Sequence, residues 1–106
     1  MKTLTLEQLR DITKTGLKNS EVILDVREIE EFAEGHIPGA TNFPLSTIES
    51  KIDEIKKYTN IYIHCQGGVR AQKAFALLSS KGIQNMTCVT NGGFGNWKAA
   101  GYPVEK

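Results

Sequence analysis

Apolar positions along the chain recur at two spacings, and the spacing switches several times. Leu6, Leu9 and Ile12 stand three residues apart, the repeat of one helical face. Thr5 precedes them and Gln8 follows three residues on, the pattern of a capping box, with Gly16 as the stop. Val22-Ile23-Leu24 is wholly apolar and rich in β-branched residues, which predicts a strand covered on both faces. Glu28 to Glu34 predicts a short helix with Ile29, Phe32 and Ala33 inward, closed by Gly35. Its early glutamates suit the positive end of a helix dipole. Ala40 to Phe43 reads as a brief strand after the Pro38-Gly39 turn.

Ser46-Thr47-Ile48-Glu49 has the form of a second capping box. Ile48, Ile52 and Ile55 follow at spacings of four and three, and Lys56 and Lys57 fall in the last turn. Ile61-Tyr62-Ile63 is another apolar strand. Ala71, Ala74, Phe75 and Leu78 form the stripe of a helix that begins near Val69 or Arg70 and closes at Gly82. Met86 to Val89 predicts a last strand. Gly92-Gly93 then turns into a short helix carrying Phe94 and Trp97, ended near Gly101 and Pro103.

Strands alternating with helices imply right-handed crossovers and an α/β fold: an open parallel sheet with helices on both faces. With 106 residues, no linker and no internal repeat, one domain over residues 1–106 is expected. In such sheets ligands bind at the carboxyl ends of the strands, and Cys65 falls just past the end of Ile61-Tyr62-Ile63.

Composition narrows the function classes. Thirteen basic side chains oppose twelve acidic ones, a net charge of +1, which argues against a nucleic-acid platform or a polybasic membrane arm. No apolar stretch approaches the ~20 residues of a bilayer crossing, and Met1-Lys2-Thr3-Leu4 opens no secretory signal. The two cysteines, Cys65 and Cys88, make no disulfide framework, so a reducing, cytoplasmic location is expected. Neither belongs to a CxxC pair, and His36 and His64 complete no zinc-like spacing, so a metal site is not expected.

The chemistry concentrates in His64-Cys65-Gln66-Gly67-Gly68-Val69-Arg70. A strand runs into the thiol, two glycines follow, and a helix begins at Val69 or Arg70. Such a turn can aim several successive N–H groups at one point, an anion-binding concavity reinforced by the helix dipole. Arg70 adds a full positive charge if its side chain folds back. Helix N-termini and cationic neighbours bring cysteine pKa values from about 8.5 down to about 3.5–7.5, and the thiolate is the nucleophile. Attack on a sulfur atom would yield a persulfide whose outer sulfur the amides hold. This reading requires the amides to face the thiol and the thiol to meet solvent. The plainer alternative is a small buried cysteine beside an ordinary Gly-Gly turn. The coincidence of thiol, glycines and arginine favours the reactive reading.

Here the chain resembles the rhodanese family of sulfurtransferases. "VILDVREIEEFAEGHIPGATNFPL", residues 22–45, resembles the family's first block, with D-V-R, E-F and G-H-I-P-G-A-x-N-x-P. "IYIHCQGGVRA", residues 61–71, resembles the active-site block, Cys-x-x-Gly-x-Arg followed by a small residue. "NGGFGNWKAAGYPVE", residues 91–105, resembles the closing block. The resemblance implies a five-stranded parallel sheet in the order first, fifth, fourth, second, third. It also implies double displacement: Cys65 takes a sulfane sulfur from thiosulfate, a polysulfide or a persulfide and passes it to cyanide or a thiol. The amides of Gln66, Gly67, Gly68, Val69 and Arg70 would cradle the transferred sulfur. Small donors and acceptors, with a persulfide-donating protein as an option, are the implied partners, and the resemblance implies no cofactor or metal.

Two alternatives stay open. One is a persulfide carrier or interaction module with little turnover of its own. The other is a phosphatase or arsenate reductase of the same fold, which uses His-Cys-x-x-x-x-x-Arg. Only four residues separate Cys65 from Arg70, a bowl suited to one sulfur rather than a tetrahedral oxyanion, and the loop holds no acid for a leaving alcohol. Many thiosulfate-using relatives carry further cations in the loop. Positions 66 to 69 here are neutral, so thiosulfate is expected to be a poor donor.

Six other residues invite functional readings. Asp25 is expected to pair with amides or with Arg27 rather than to catalyse. His36 is read as a structural turn residue, and His64, turned to the opposite side of its strand from Cys65, as support. Cys88 is expected to be an inert core thiol, although it offers a resolving sulfur. Phe94 and Trp97 are assigned to the core.

Overall fold

A computed structural model describes residues 1–106. Its sheet is built from β1 (Thr3–Leu4), β2 (Glu21–Asp25), β3 (Ala40–Asn42), β4 (Asn60–His64) and β5 (Met86–Val89). The order is β1-β5-β4-β2-β3 and every pairing is parallel. Between the strands run α1 (Leu6–Thr15), α2 (Ile29–Glu34), a 3-10 helix (Leu45–Lys51) leading into α3 (Ile52–Ile55), α4 (Val69–Ser80) and α5 (Phe94–Ala99). No helix is long and apolar enough to cross a membrane.

The strands are apolar throughout because both faces are covered, and alternate residues feed different cores. Val22 and Leu24 of β2 and Ile61 and Ile63 of β4 pack with Ile48, Ile55, Ala71, Ala74 and Leu78. Ile23, between Val22 and Leu24, faces the other way and packs with Leu9 of α1 and with Phe94 and Trp97 of α5. Helices therefore lie on both faces, as the alternation predicts. Phe94 and Trp97 belong to this second core, and Trp97 anchors itself by donating its indole N–H to the Pro103 carbonyl at 2.8 Å. The capping box forms at α1, where Gln8 N–H donates to Thr5 Oγ1 and Thr5 N–H to Gln8 Oε1.

The edge strand β1, Thr3–Leu4, has two residues, too short to show any periodicity. Two expectations are corrected. In α2, Ile29 and Ala33 are exposed and Phe32 only half-buried, so the helix has no inward apolar face. It lies on the polar rim at the carboxyl ends of the strands and is held by side-chain hydrogen bonds instead. Ser46 does not cap a helix: the segment is a 3-10 helix entered from Pro44, and the Ser46 hydroxyl donates to Glu28 Oε1 at 2.8 Å. Ile48 and Ile55 are buried all the same, because a tighter helix still puts them on the core side.

Candidate active site

β4 ends at His64, and α4 begins at Val69, so residues 65 to 68 form the turn between them. Gly68 has φ +114°, a left-handed conformation that glycine adopts at no steric cost. This reverses the chain. Gly68 N–H then donates to Cys65 Sγ at 3.0 Å, and Ala71 N–H, in the first turn of α4, donates to the same sulfur at 3.3 Å. The sulfur sits at the positive end of a 12-residue helix, where free amides and the dipole both favour negative charge.

The loop is held from outside by α5. Phe94 N–H donates to the Cys65 carbonyl at 2.8 Å and Gly95 N–H to the Gln66 carbonyl at 3.2 Å. In a trans peptide the N–H points opposite to the C=O. Fixing these two carbonyls on α5 therefore turns the N–H groups of Gln66 and Gly67 away from α5. Those two N–H groups, and those of Val69 and Arg70, have no hydrogen-bond partner in the protein. Close approach of α5 depends on Gly93. A Cβ there would run into the Cys65 carbonyl oxygen and lie 2.7 Å from the Gln66 carbonyl carbon.

The residues singled out in the loop are thus brought together, with two corrections. Ala71 supplies an amide to Sγ that sequence reasoning missed, since a main-chain contact leaves no residue signature. The Arg70 guanidinium makes no hydrogen bond to the sulfur. It forms a two-pronged pair with Glu31 of α2, Nη1 to Oε1 at 2.6 Å and Nη2 to Oε2 at 3.0 Å. The hydrogen bond from Arg70, ahead of the partial burial that opposes it, holds the Glu31 carboxyl down at about 2. The same hydrogen bond to Glu31, ahead of the partial burial that opposes it and of the Glu31 charge, raises the guanidinium in turn.

Accessibility also departs from expectation. Cys65 is only 1% exposed, while Gln66, Gly67 and Val69 are exposed. The turn is drawn in by its bonds to Sγ, and the sulfur lies covered beneath it. Beside the loop lies a cavity of ≈ 520 Å³ that reaches Gln66, Arg27, Glu31 and Phe94 but not Cys65.

Arg27, buried to 2%, connects cavity and loop. It pairs with buried Asp25, Nη2 to Oδ2 at 2.8 Å, donates to the Gly35 carbonyl at 2.8 Å and to Gln66 Oε1 at 3.3 Å, and lies 4.3 Å over the Phe94 ring. Asp25 is an architectural acid, as expected. His36 is a turn residue, stacked on Phe32 at 3.8 Å and bonded through Nδ1 to the Phe32 carbonyl. His64 Nδ1 lies 3.3 Å from the Cys65 carbonyl, Nε2 makes no hydrogen bond but lies 3.9 Å from Asp25 Oδ2, and burial, against the opposing charge of Asp25, pushes the ring below the ordinary histidine value. Cys88 is fully buried in the core, and burial, ahead of the electrostatic effect of Cys65, raises its thiol above the usual range.

Residues 5–100 match the Rhodanese-like domain family. The uncharacterized protein YqhL of Bacillus subtilis strain 168 is 39% identical over 97 residues, covering 92% of this chain and 72% of YqhL. The putative sulfur carrier protein YrkF of the same organism is 39% identical over 70 residues, 66% of this chain but 38% of YrkF. The thiosulfate sulfurtransferase GlpE of Pseudomonas putida F1 is 31% identical over 99 residues, 93% of this chain and 86% of GlpE. Among solved structures, a protein of unknown function from Rhodopseudomonas palustris, described as a possible tyrosine phosphatase, has a TM-score of 0.87 at 28% identity, covering 99% of this chain and 85% of that one. A rhodanese-related protein from Thermoplasma volcanium has a TM-score of 0.82 at 28% identity, covering 99% and 98%. The chain belongs to the rhodanese-like family.

Two outcomes follow from the site's geometry. Gly93→Ala is expected to destabilise the fold by about 1–3 kcal/mol through overpacking against the loop. Gly67→Ala, where a Cβ meets nothing within 4 Å, is expected to stay within about 0.5 kcal/mol of wild type. Chemical denaturation of both variants measures the contrast, and equal stabilities would contradict it. The second concerns Glu31, whose value in the fold lies below its ordinary 4.5. Its pairing is therefore fully present above about pH 4.5 and is lost as pH falls towards 2. The stability gap between wild type and Glu31→Gln, under about 1 kcal/mol for a pair this exposed, should hold from about pH 7 to 5 and narrow by about pH 3. A gap that widens on acidification would show the sign to be wrong.

Proposed function

We propose, with membership of the rhodanese-like family as the premise, that the protein is a sulfurtransferase whose nucleophile is Cys65. The observation that carries this reading is the sulfur's position: Sγ accepts N–H bonds from Gly68 and Ala71 at a helix N-terminus, with four further unpaired N–H groups in the same loop. In the first half-reaction the thiolate attacks the sulfane sulfur of a donor. A new S–S bond forms, the donor's bond to that sulfur breaks, and the electron pair leaves with the donor remnant. In the second, cyanide or an acceptor thiol attacks the outer sulfur and returns the Cys65 thiolate. The outer sulfur carries the negative charge between the two steps, and the free amides of Gln66, Gly67, Val69 and Arg70 are its partners. The loop opens by main-chain movement at the glycines to admit the donor. Two free thiols suit a reducing, cytoplasmic compartment.

A second reading is favoured by the covered thiol and by the YrkF resemblance: a carrier that accepts a persulfide from a protein donor and turns over slowly alone. The phosphatase reading is disfavoured because four residues between Cys65 and Arg70, two of them glycines, close too small a ring for a tetrahedral oxyanion.

Intact-protein mass spectrometry tests the proposal. Incubation with thiosulfate, polysulfide or an organic persulfide should add one sulfur atom, removable by cyanide and absent in Cys65→Ser. Loading by none of these donors would reject the reading. Rapid loading with negligible multiple turnover would select the carrier form.

A further inference from the structure

We infer that Glu31 sets which sulfur donors the Cys65 loop accepts, by engaging Arg70 and so withholding the loop's one cation from dianionic donors. The inference rests on the sulfur-transfer reading. Among residues 66 to 70 only Arg70 is charged, and both prongs of its guanidinium are taken by Glu31. Such two-pronged pairs fix orientation as well as charge. The other arginine beside the loop, Arg27, is equally committed, with Asp25 accepting from Nε and Nη2 and Gly35 from Nη2. Each arginine at this edge thus has a carboxylate of its own; Lys98 and Lys106 line the cavity beside the loop, but residues 66 to 70 themselves offer a donor main-chain N–H groups alone.

Those N–H groups suit a single anionic sulfur at close range. They do not neutralise a sulfonate group, whose charge is spread over three oxygens and departs with the electron pair as sulfite. A persulfide makes a smaller demand. Attack of the Cys65 thiolate on its outer sulfur forms the new S–S bond, breaks the old one, and releases a thiolate that takes up the proton of the transferred sulfur. Val69, next to Arg70 in the chain, and Ile29, two residues before Glu31, are exposed and apolar. The low value of the Glu31 carboxyl, about 2, means the pair is intact at every pH at which the enzyme would work. Glu31 is accordingly a positioning residue that acts through Arg70, and the favoured donor class is persulfides and polysulfides.

The test compares KM and kcat for sulfur loading from thiosulfate and from glutathione persulfide in wild type, Glu31→Gln, Glu31→Asp and the double variant Glu31→Gln/Arg70→Gln. Glu31→Gln should lower KM for thiosulfate about three- to tenfold, an advantage that fades at high salt, while KM for the persulfide stays within about twofold. Glu31→Asp should keep the wild-type ratio, and the double variant should lose the gain. An unchanged ratio in a Glu31→Gln protein that loads normally from persulfide would overturn the inference alone. A gain that survives in the double variant would also overturn it, since Arg70 would not be the mediator. Loading from neither donor in wild type or variant would sink the sulfur-transfer reading and this inference with it.

Discussion

The site depends on one constraint: the first amides of α5 hold the carbonyls of Cys65 and Gln66 on the outside of the turn. Planar trans peptides convert that into a direction for the neighbouring N–H groups. Without the clasp, the peptides after β4 would be free to rotate, and the unpaired donors would disperse into water. Gly93 is what permits it, because any side chain there collides with the same two residues. The second core makes the clasp rigid. Phe94 and Trp97 bury α5 against Ile23 and Leu9, so the helix that positions the loop is anchored in the sheet's opposite face.

Both arginines at this edge are paired, whereas Lys98 and Lys106 line the neighbouring cavity without a salt bridge. Asp25 matches Arg27 in the interior, and Glu31 matches Arg70 at the rim. The first pair is structural and ties β2 to Gln66 and Gly35. The second is half-exposed and contributes little to stability; in the proposed role it withholds Arg70 from incoming anions. The Cys65 thiol beside it is covered by its own turn, at 1% exposure.

Much of the fold was legible because the chain keeps its periods. Ala71, Ala74 and Leu78 are buried on α4 as their spacing requires, and Val22 to Leu24 and Ile61 to Ile63 are strands covered on both sides. Cys65 was legible through its position after a strand and before Gly-Gly. What was not legible came from long-range or main-chain contacts. Glu31 and Arg70 meet across 39 positions, and nothing local marks the encounter. The spacing of Ile29, Phe32 and Ala33 mimics an inward face, yet α2 rests on polar contacts at the rim. Ser46 has the residues of a cap, but the hydroxyl finds Glu28 instead. Thr3–Leu4 completes the sheet with too few residues for any pattern to emerge.

A high-resolution crystal structure of the protein after treatment with a sulfane donor tests the central claim most directly. The account predicts an extra sulfur on Cys65 Sγ within hydrogen-bonding reach of the free N–H groups of the 66–70 turn, with the Cys65 and Gln66 carbonyls still bound by Phe94 and Gly95. An extra sulfur directed away from those amides, or a turn that has left α5 to hold it, would contradict the account.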